Sequence, residues 1–161
     1  GPMAAEIERK FLVRHEGWRA AVTRSVPMRQ GYLAEGNASV RVRVDETGAN
    51  LNIKSMTLEI TRLEYEYTIP EADAHEMLDQ LCKRPIIEKT RHYIENGGHT
   101  WEVDEFAGDN AGLVVAELEL SAENEAYERP DWLGEEVSDD PRYYNVSLVT
   151  YPYRDWPDRK G

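Results

Sequence analysis

Like-signed charges recur two residues apart along this chain, and that spacing constrains the fold more than any other feature. Glu6 with Glu8, Arg41 with Arg43, Glu64 with Glu66, Lys89 with Arg91, Glu102 with Asp104, and Glu117 with Glu119 all stand at i and i+2. In a strand, successive side chains point to opposite faces, so each pair occupies one face and its neighbours the other. Opposite Arg41 and Arg43 run Val40, Val42 and Val44; opposite Glu117 and Glu119 run Ala116, Leu118 and Leu120. An ordinary sandwich would leave such faces in water. Solvent faces, however, mix Thr, Ser, Gln and Lys, and like charges side by side repel unless something of opposite sign lies between them. A polyanion would neutralise the basic pairs and divalent cations the acidic ones. The alternative to a sandwich is a barrel with a charged lumen and an apolar outside. Desolvation costs several kcal/mol per ion, so that lumen must hold water, counter-ions or ligand.

Segments of strand length are expected at 5–13, 28–34, 39–45, 51–56, 60–69, 86–94, 100–106 and 113–120, enough to close a barrel. The connection at 48–50 and the Asn96-Gly97-Gly98 turn tolerate positive φ and predict antiparallel hairpins. Ala74, Met77, Leu78 and Leu81 at helical spacing predict an amphipathic helix over 71–82 on an outer wall. After Leu120 the pattern predicts a helix over 124–129, a loop through Pro130, Trp132 and Gly134, and a helix over 141–149. No element is expected beyond Tyr151.

The 161 residues suit one domain, read over 3–161, with Gly1 and Pro2 taken as a tag remnant before Met3. A net charge of -12 argues against nucleic acid as a partner, though locally gathered Lys and Arg can still hold phosphate. No run approaches the length of a membrane span and no leader is evident, so a soluble, cytoplasmic protein is expected. Whether it is a monomer or a homodimer is left open. Cys82 sits among apolar helix positions and is expected to be an inert core side chain. The histidines 15, 75, 92 and 99 lack metal-ligand spacing, which disfavours a zinc site. Tyr32, Tyr65 and Tyr93 are read as packing residues.

The run Glu6-Ile7-Glu8-Arg9-Lys10 resembles the E-x-E-x-K signature of the CYTH family, also called triphosphate tunnel metalloenzymes. Arg41-Val42-Arg43 resembles its R-x-R strand and Lys54 its isolated lysine. Glu64-Tyr65-Glu66 resembles its E-x-E strand, Lys89-Thr90-Arg91 its K-x-R strand, Asp104 its late aspartate, and Glu117-Leu118-Glu119 its final E-x-E. The resemblance implies a mainly β (α+β) fold, an eight-stranded antiparallel β-barrel tunnel with a charged lumen flanked by a few helices. In short bacterial members a C-terminal helix closes one tunnel end, and 141–149 would be that helix.

The resemblance also implies metal-dependent hydrolysis of a triphosphate, with inorganic tripolyphosphate expected first. Thiamine triphosphate hydrolysis and class IV-type cyclisation of ATP are the alternatives, and a non-catalytic polyphosphate-binding module is a reading of another class. A lipocalin-like carrier is disfavoured by the charged lumen. Phosphoryl transfer needs cations at the phosphate oxygens, and Lys10, Arg41, Arg43, Lys54, Lys89 and Arg91 supply them, with Arg62 as an added candidate. Carboxylates select hard cations, so Glu6, Glu8, Glu64, Glu66, Asp104, Glu117 and Glu119 are expected to hold Mg²⁺ or Mn²⁺. Lys89, crowded by Arg91, is the candidate general base.

Overall fold

Alternation makes the strands, and short turns set their order. The computed structural model describes residues 7–34, 36–55 and 63–157. Glu6 and Arg62 fall outside the described residues. Strands β1 (Ile7–Val13), β2 (Arg24–Ala34), β3 (Ala38–Asp45), β4 (Gly48–Ser55) and β5 (Glu64–Ile69) precede helix α1 (Glu71–Gln80). Strands β6 (Ile87–Asn96), β7 (His99–Phe106), β8 (Val114–Leu120) and β9 (Leu133–Glu136) follow, and then helix α2 (Asn145–Thr150). They form a nine-stranded sheet in the order β5-β4-β3-β2-β6-β7-β8-β1-β9. Every pairing in it is antiparallel. Among the described residues no described helix is long and apolar enough to cross a membrane.

The mainly antiparallel β class agrees with the expectation, but closure into an eight-stranded barrel does not. Among the described residues β5 lies at one edge, while β9 pairs with β1 through Phe11 and Val13 at the other. β9 was not legible in the sequence because it is four residues long and contains Gly134 and two glutamates. Gly134 is needed there, since an added Cβ would lie 2.9 Å from the Leu12 carbonyl oxygen.

Local chemistry explains the other departures. β2 starts at Arg24, ahead of the expected residue 28, and carries Pro27 inside it. That proline lies where β2 pairs with β6 alone, beyond the Arg29–Ala34 stretch that also pairs with β3, so the missing N–H breaks no ladder. The β3–β4 turn falls at Glu46 and Thr47, earlier than expected, because the Asp45 carboxylate accepts from Thr47 N at 2.8 Å. Gly97 and Gly98 turn β6 into β7 with φ of +60° and +81°, as the Asn-Gly-Gly pattern requires.

No helix forms over 124–129. The Glu125 carboxylate accepts from Ser121 N and meets His99 Nε2, both at 2.7 Å, and the Tyr127 ring packs against Phe11 and Trp101. Those contacts draw the segment out along the sheet. The expected helix over 141–149 is broken into a 3-10 turn (Pro141–Tyr143) and α2, with Tyr144 extended between them. Asp140 caps the turn by accepting from Arg142 N, and the Tyr144 hydroxyl donates to the Ser138 carbonyl at 2.7 Å.

Apolar faces pack in three places. On the outer face, Phe11, Trp18, Ile94, Trp101, Val103, Ala116 and Leu118 form one cluster, reached by Tyr127. Full burial of a side chain such as Phe11 contributes roughly 1.5–3 kcal/mol. α1 lays Ala74 and Leu78 on Val42, Val44 and Ala49. Cys82 joins them, and an added Cβ at Gly31 would lie 2.8 Å from its Sγ, so helix and strand approach closely because Gly31 has no side chain. The third cluster sits on the charged face itself. Beyond Lys89 comes Ile87, beyond Asp104 Phe106, and beyond Glu117 Val115; α2 covers this end with Leu148 and Val149.

Candidate functional site: an interleaved acidic and basic face

Strand register carries the charged positions onto one face and sorts them into rows. Glu8 lies opposite Glu119, and Lys10 opposite Glu117, which lies opposite Glu102. Arg91 lies opposite Asp104 on one side and Val26 on the other. Gln30 lies opposite Arg43, itself opposite Asn50. Tyr32, Arg41, Asn52 and Glu66 form the next row, and Lys54 lies opposite Glu64.

The centre of this face is buried and paired. Lys89 Nζ donates to Asp104 Oδ2 at 2.9 Å, and Arg91 clamps the same carboxylate through Nε at 2.8 Å and Nη2 at 3.0 Å. Lys10 Nζ donates to Glu117 at 2.8 Å and to Glu8 at 3.0 Å. Arg91 approaches Glu102 at 3.5 Å and Glu117 at 3.9 Å. Arg43 Nε donates to Gln30 Oε1 at 3.1 Å.

These contacts show in the acid–base balance of the groups. Burial alone would raise the Asp104 carboxyl, but the Lys89 charge and the Arg91 hydrogen bonds outweigh it and hold it well below the usual carboxylate range. Burial pushes the Lys89 ammonium down, Arg91 adds to the effect, and Asp104 opposes it. Burial is the first cause, ahead of the crowding by Arg91 on which the sequence reading relied. Burial likewise lowers Arg43, followed by the neighbouring Arg41 and Arg91. Burial raises the Glu102 carboxyl against the pull of Arg91, and Glu117, Asp104 and Glu8 raise it further.

The expected site residues thus divide into groups. Lys10, Lys89, Arg91, Asp104 and Glu117 are joined in one continuous set of ion pairs with Glu8. Glu119 joins them by register with Glu8. Arg41 and Arg43 stand across β2 from that set, with Lys54 beyond. Glu64 and Glu66 are exposed on β5, which strand order puts at the edge opposite β9, although Asn52 Nδ2 donates to Glu64 at 3.2 Å. Asp104, expected among metal ligands, has both oxygens engaged by Lys89 and Arg91.

Donor chemistry fits a hard divalent cation: Glu8, Glu117 and Glu119 offer oxygen alone, and the Glu102 carboxyl, raised first by burial, is raised further by the carboxylates beside it. Among the described residues no three acidic or histidine side chains already converge on one point, and Glu6, one alternation from Glu8, lies outside them. Two members of the site escaped the sequence pattern. Gln30 and Asn145 are neutral, so no charge alternation marks them; only Gln30's place on the charged parity of β2 could have done so.

Fold and site together define a class: an antiparallel β protein whose one face interleaves guanidinium and ammonium groups with carboxylates and is covered at one end by a short helix. The chain belongs to the CYTH domain family, whose model matches residues 4–148. It is 46% identical over 157 residues, 97% of this chain and 100% of the relative, to a protein of Acetivibrio thermocellus named inorganic triphosphatase. It is 37% identical over 151 residues, 89% of this chain and 96% of the relative, to a protein of the same name from Nitrosomonas europaea. The solved structure of the inorganic triphosphatase NE1496 is similar with a TM-score of 0.69 at 35% identity, over 92% of this chain and 97% of that one.

Proposed function

We propose that this chain hydrolyses inorganic tripolyphosphate to pyrophosphate and phosphate with the help of Mg²⁺ or Mn²⁺, in the cytoplasm. The observation that carries the reading is that one face of the sheet holds the cations Lys89, Arg91, Arg43 and Arg41 together with the carboxylates Glu8, Glu117 and Glu119. Two relatives that span nearly their whole length with this chain bear the name of that activity.

In this reading Arg41, Arg43 and Arg91 grip the phosphate oxygens, Arg by its two-pronged fork, with Lys10 and Lys54 as further cations. Glu8, Glu117 and Glu119 would hold the divalent cation, with Glu6, Glu64 and Glu66 as further candidates; when bound it would neutralise phosphate oxygens and steady the leaving pyrophosphate. A water oxygen bonds to the terminal phosphorus, the bridging P–O bond breaks, and its electron pair leaves with pyrophosphate. Lys89 Nζ takes the water proton, which requires the amine to be neutral; burial moves it in that direction. Asp104 acts as the buried counter-ion that aims Lys89 and Arg91.

Phosphate release measured across tripolyphosphate, thiamine triphosphate and ATP tests the substrate. Ile87, Phe106, Val115 and Leu148 pack together as a buried apolar cluster at the α2 end of the charged face, and tripolyphosphate is expected to be favoured in kcat/KM by at least about tenfold. Equal turnover of all three, or cyclic AMP from ATP, would overturn the choice. Tight tripolyphosphate binding without phosphate release would instead support a binding module.

Arg43→Ala is expected to raise KM roughly 10- to 100-fold, the equivalent of one charge-assisted hydrogen bond of about 1.5–3 kcal/mol. Arg19→Ala removes the same charge from the outer side, where Arg19 pairs with Glu16 and Glu105, and should leave KM unchanged. Equal effects of the two would reduce the Arg43 role to bulk electrostatics.

A further inference from the structure

Two carboxamides bridge the cations of the charged face. The Asn145 Oδ1 at the start of α2 accepts from Lys89 Nζ at 3.0 Å and from Gln30 Nε2 at 3.3 Å. Gln30 Oε1 in turn accepts from Arg43 Nε at 3.1 Å. The orientation of both amides follows from donor chemistry. A lysine ammonium can only donate, so Asn145 presents oxygen to it, and that oxygen has two acceptor positions. Gln30 must then turn its nitrogen to Asn145 and its oxygen to the guanidinium. Gln30 is 1% exposed and the Lys89 side chain equally so, which leaves water unable to replace these bonds cheaply.

The two sides of Lys89 therefore differ in kind. Asp104 holds it with a full negative charge, whereas Asn145 holds it with a dipole and cancels none of its charge. A face built to receive a polyanion needs its nitrogens fixed in place without further negative charge beside them, and an amide does both. Tyr144 adds to the same junction: its ring lies 5.2 Å from Lys10 Nζ, so consecutive residues entering α2 touch both buried lysines of the site.

We propose that Asn145 is a positioning residue for triphosphate hydrolysis, acting on Lys89 directly and on Arg43 through Gln30, and that its neutrality adds no negative charge where the substrate's phosphates must enter. The inference rests on the tripolyphosphatase reading. Asn145→Asp is nearly isosteric and tests it most sharply. The new carboxylate would hold Lys89 at least as firmly, so the melting temperature should stay level or rise, while KM for tripolyphosphate should rise at least about tenfold from like-charge repulsion. Asn145→Ala loosens the ammonium, and kcat should fall roughly 10- to 100-fold with KM changed less than about threefold. Adding Gln30→Ala to Asn145→Ala should cost less than the two single losses combined, because the amides act as a unit. A merely structural role would lower the melting temperature of all the variants and leave the split between kcat and KM untouched. Parent-like kinetics for Asn145→Asp, or Asp and Ala variants alike in both constants, would overturn the proposal while the parent still releases phosphate. A parent that releases none overturns the activity and this inference together.

Discussion

Phosphate release from tripolyphosphate is expected to fall at least about a thousandfold when EDTA exceeds the total divalent cation, a loss of roughly 4 kcal/mol in transition-state stabilisation. The chain supplies cations for the phosphate oxygens, yet it sets Glu8 opposite Glu119 and Glu102 opposite Glu117 on the same face. A highly charged polyanion brought beside those carboxylates meets repulsion as well as attraction. The protein as a whole carries a net charge of -12, which adds to the cost of approach. A divalent cation held by Glu8, Glu117 and Glu119 would offset that repulsion. Titrating Mg²⁺ or Mn²⁺ back in excess of chelator should restore turnover, and a chemistry indifferent to chelation would leave the acidic half of the face without a purpose in the reaction.

Asp104→Ala is expected to destabilise the fold by about 3–5 kcal/mol, because two buried cations would lose their shared counter-ion. For a chain of this size each kcal/mol moves the melting midpoint by about 2–4 °C, so a fall of roughly 6–20 °C should be seen. Burial decides the size of this effect. Arg19 and Glu105 meet at 2.7 Å, closer than Lys89 and Asp104 at 2.9 Å, but both of the former are partly exposed. An exposed pair contributes only about 0–1 kcal/mol, and Glu105→Ala should scarcely move the midpoint. The pH dependence has a definite sign. Asp104 titrates lower in the folded state than in the unfolded one, so its contribution is complete above the unfolded value of about 3.9 and is lost as pH falls toward the folded value. The gap between parent and variant should accordingly be full at neutral pH and shrink below about pH 4. A gap that stayed constant from neutral pH through that acid range would mean that Asp104 acts through its volume and not its charge.

Much of the charged face is legible in the sequence. Lys89 and Arg91, or Glu117 and Glu119, share a face because they are two residues apart in extended backbone, and no tertiary information is needed to say so. The α1 helix is equally local, since Ala74 and Leu78 stand one turn apart on its buried side. The predicted helix over 124–129 fails for the opposite reason: its propensity is overruled by Glu125 reaching Ser121 and His99 and by Tyr127 packing on the outer cluster. β9 is invisible for a related reason, because four residues with a glycine form a strand only when β1 is already there to pair with.

By itself the sequence determined which face each charge occupies, and through the ordered resemblance of its motifs it pointed to the family. The physical reason is that side-chain alternation is built into the covalent geometry and sterics of each strand. Tertiary structure alone decided which charges meet. Asp104 is shared by Lys89 and Arg91 because β6 and β7 pair in one register, and Asn145 reaches Lys89 across 56 positions of chain because α2 buries Leu148 and Val149 against that end of the sheet. Register, strand order and the docking of α2 depend on apolar burial summed over the whole molecule, and no local window of sequence contains that sum.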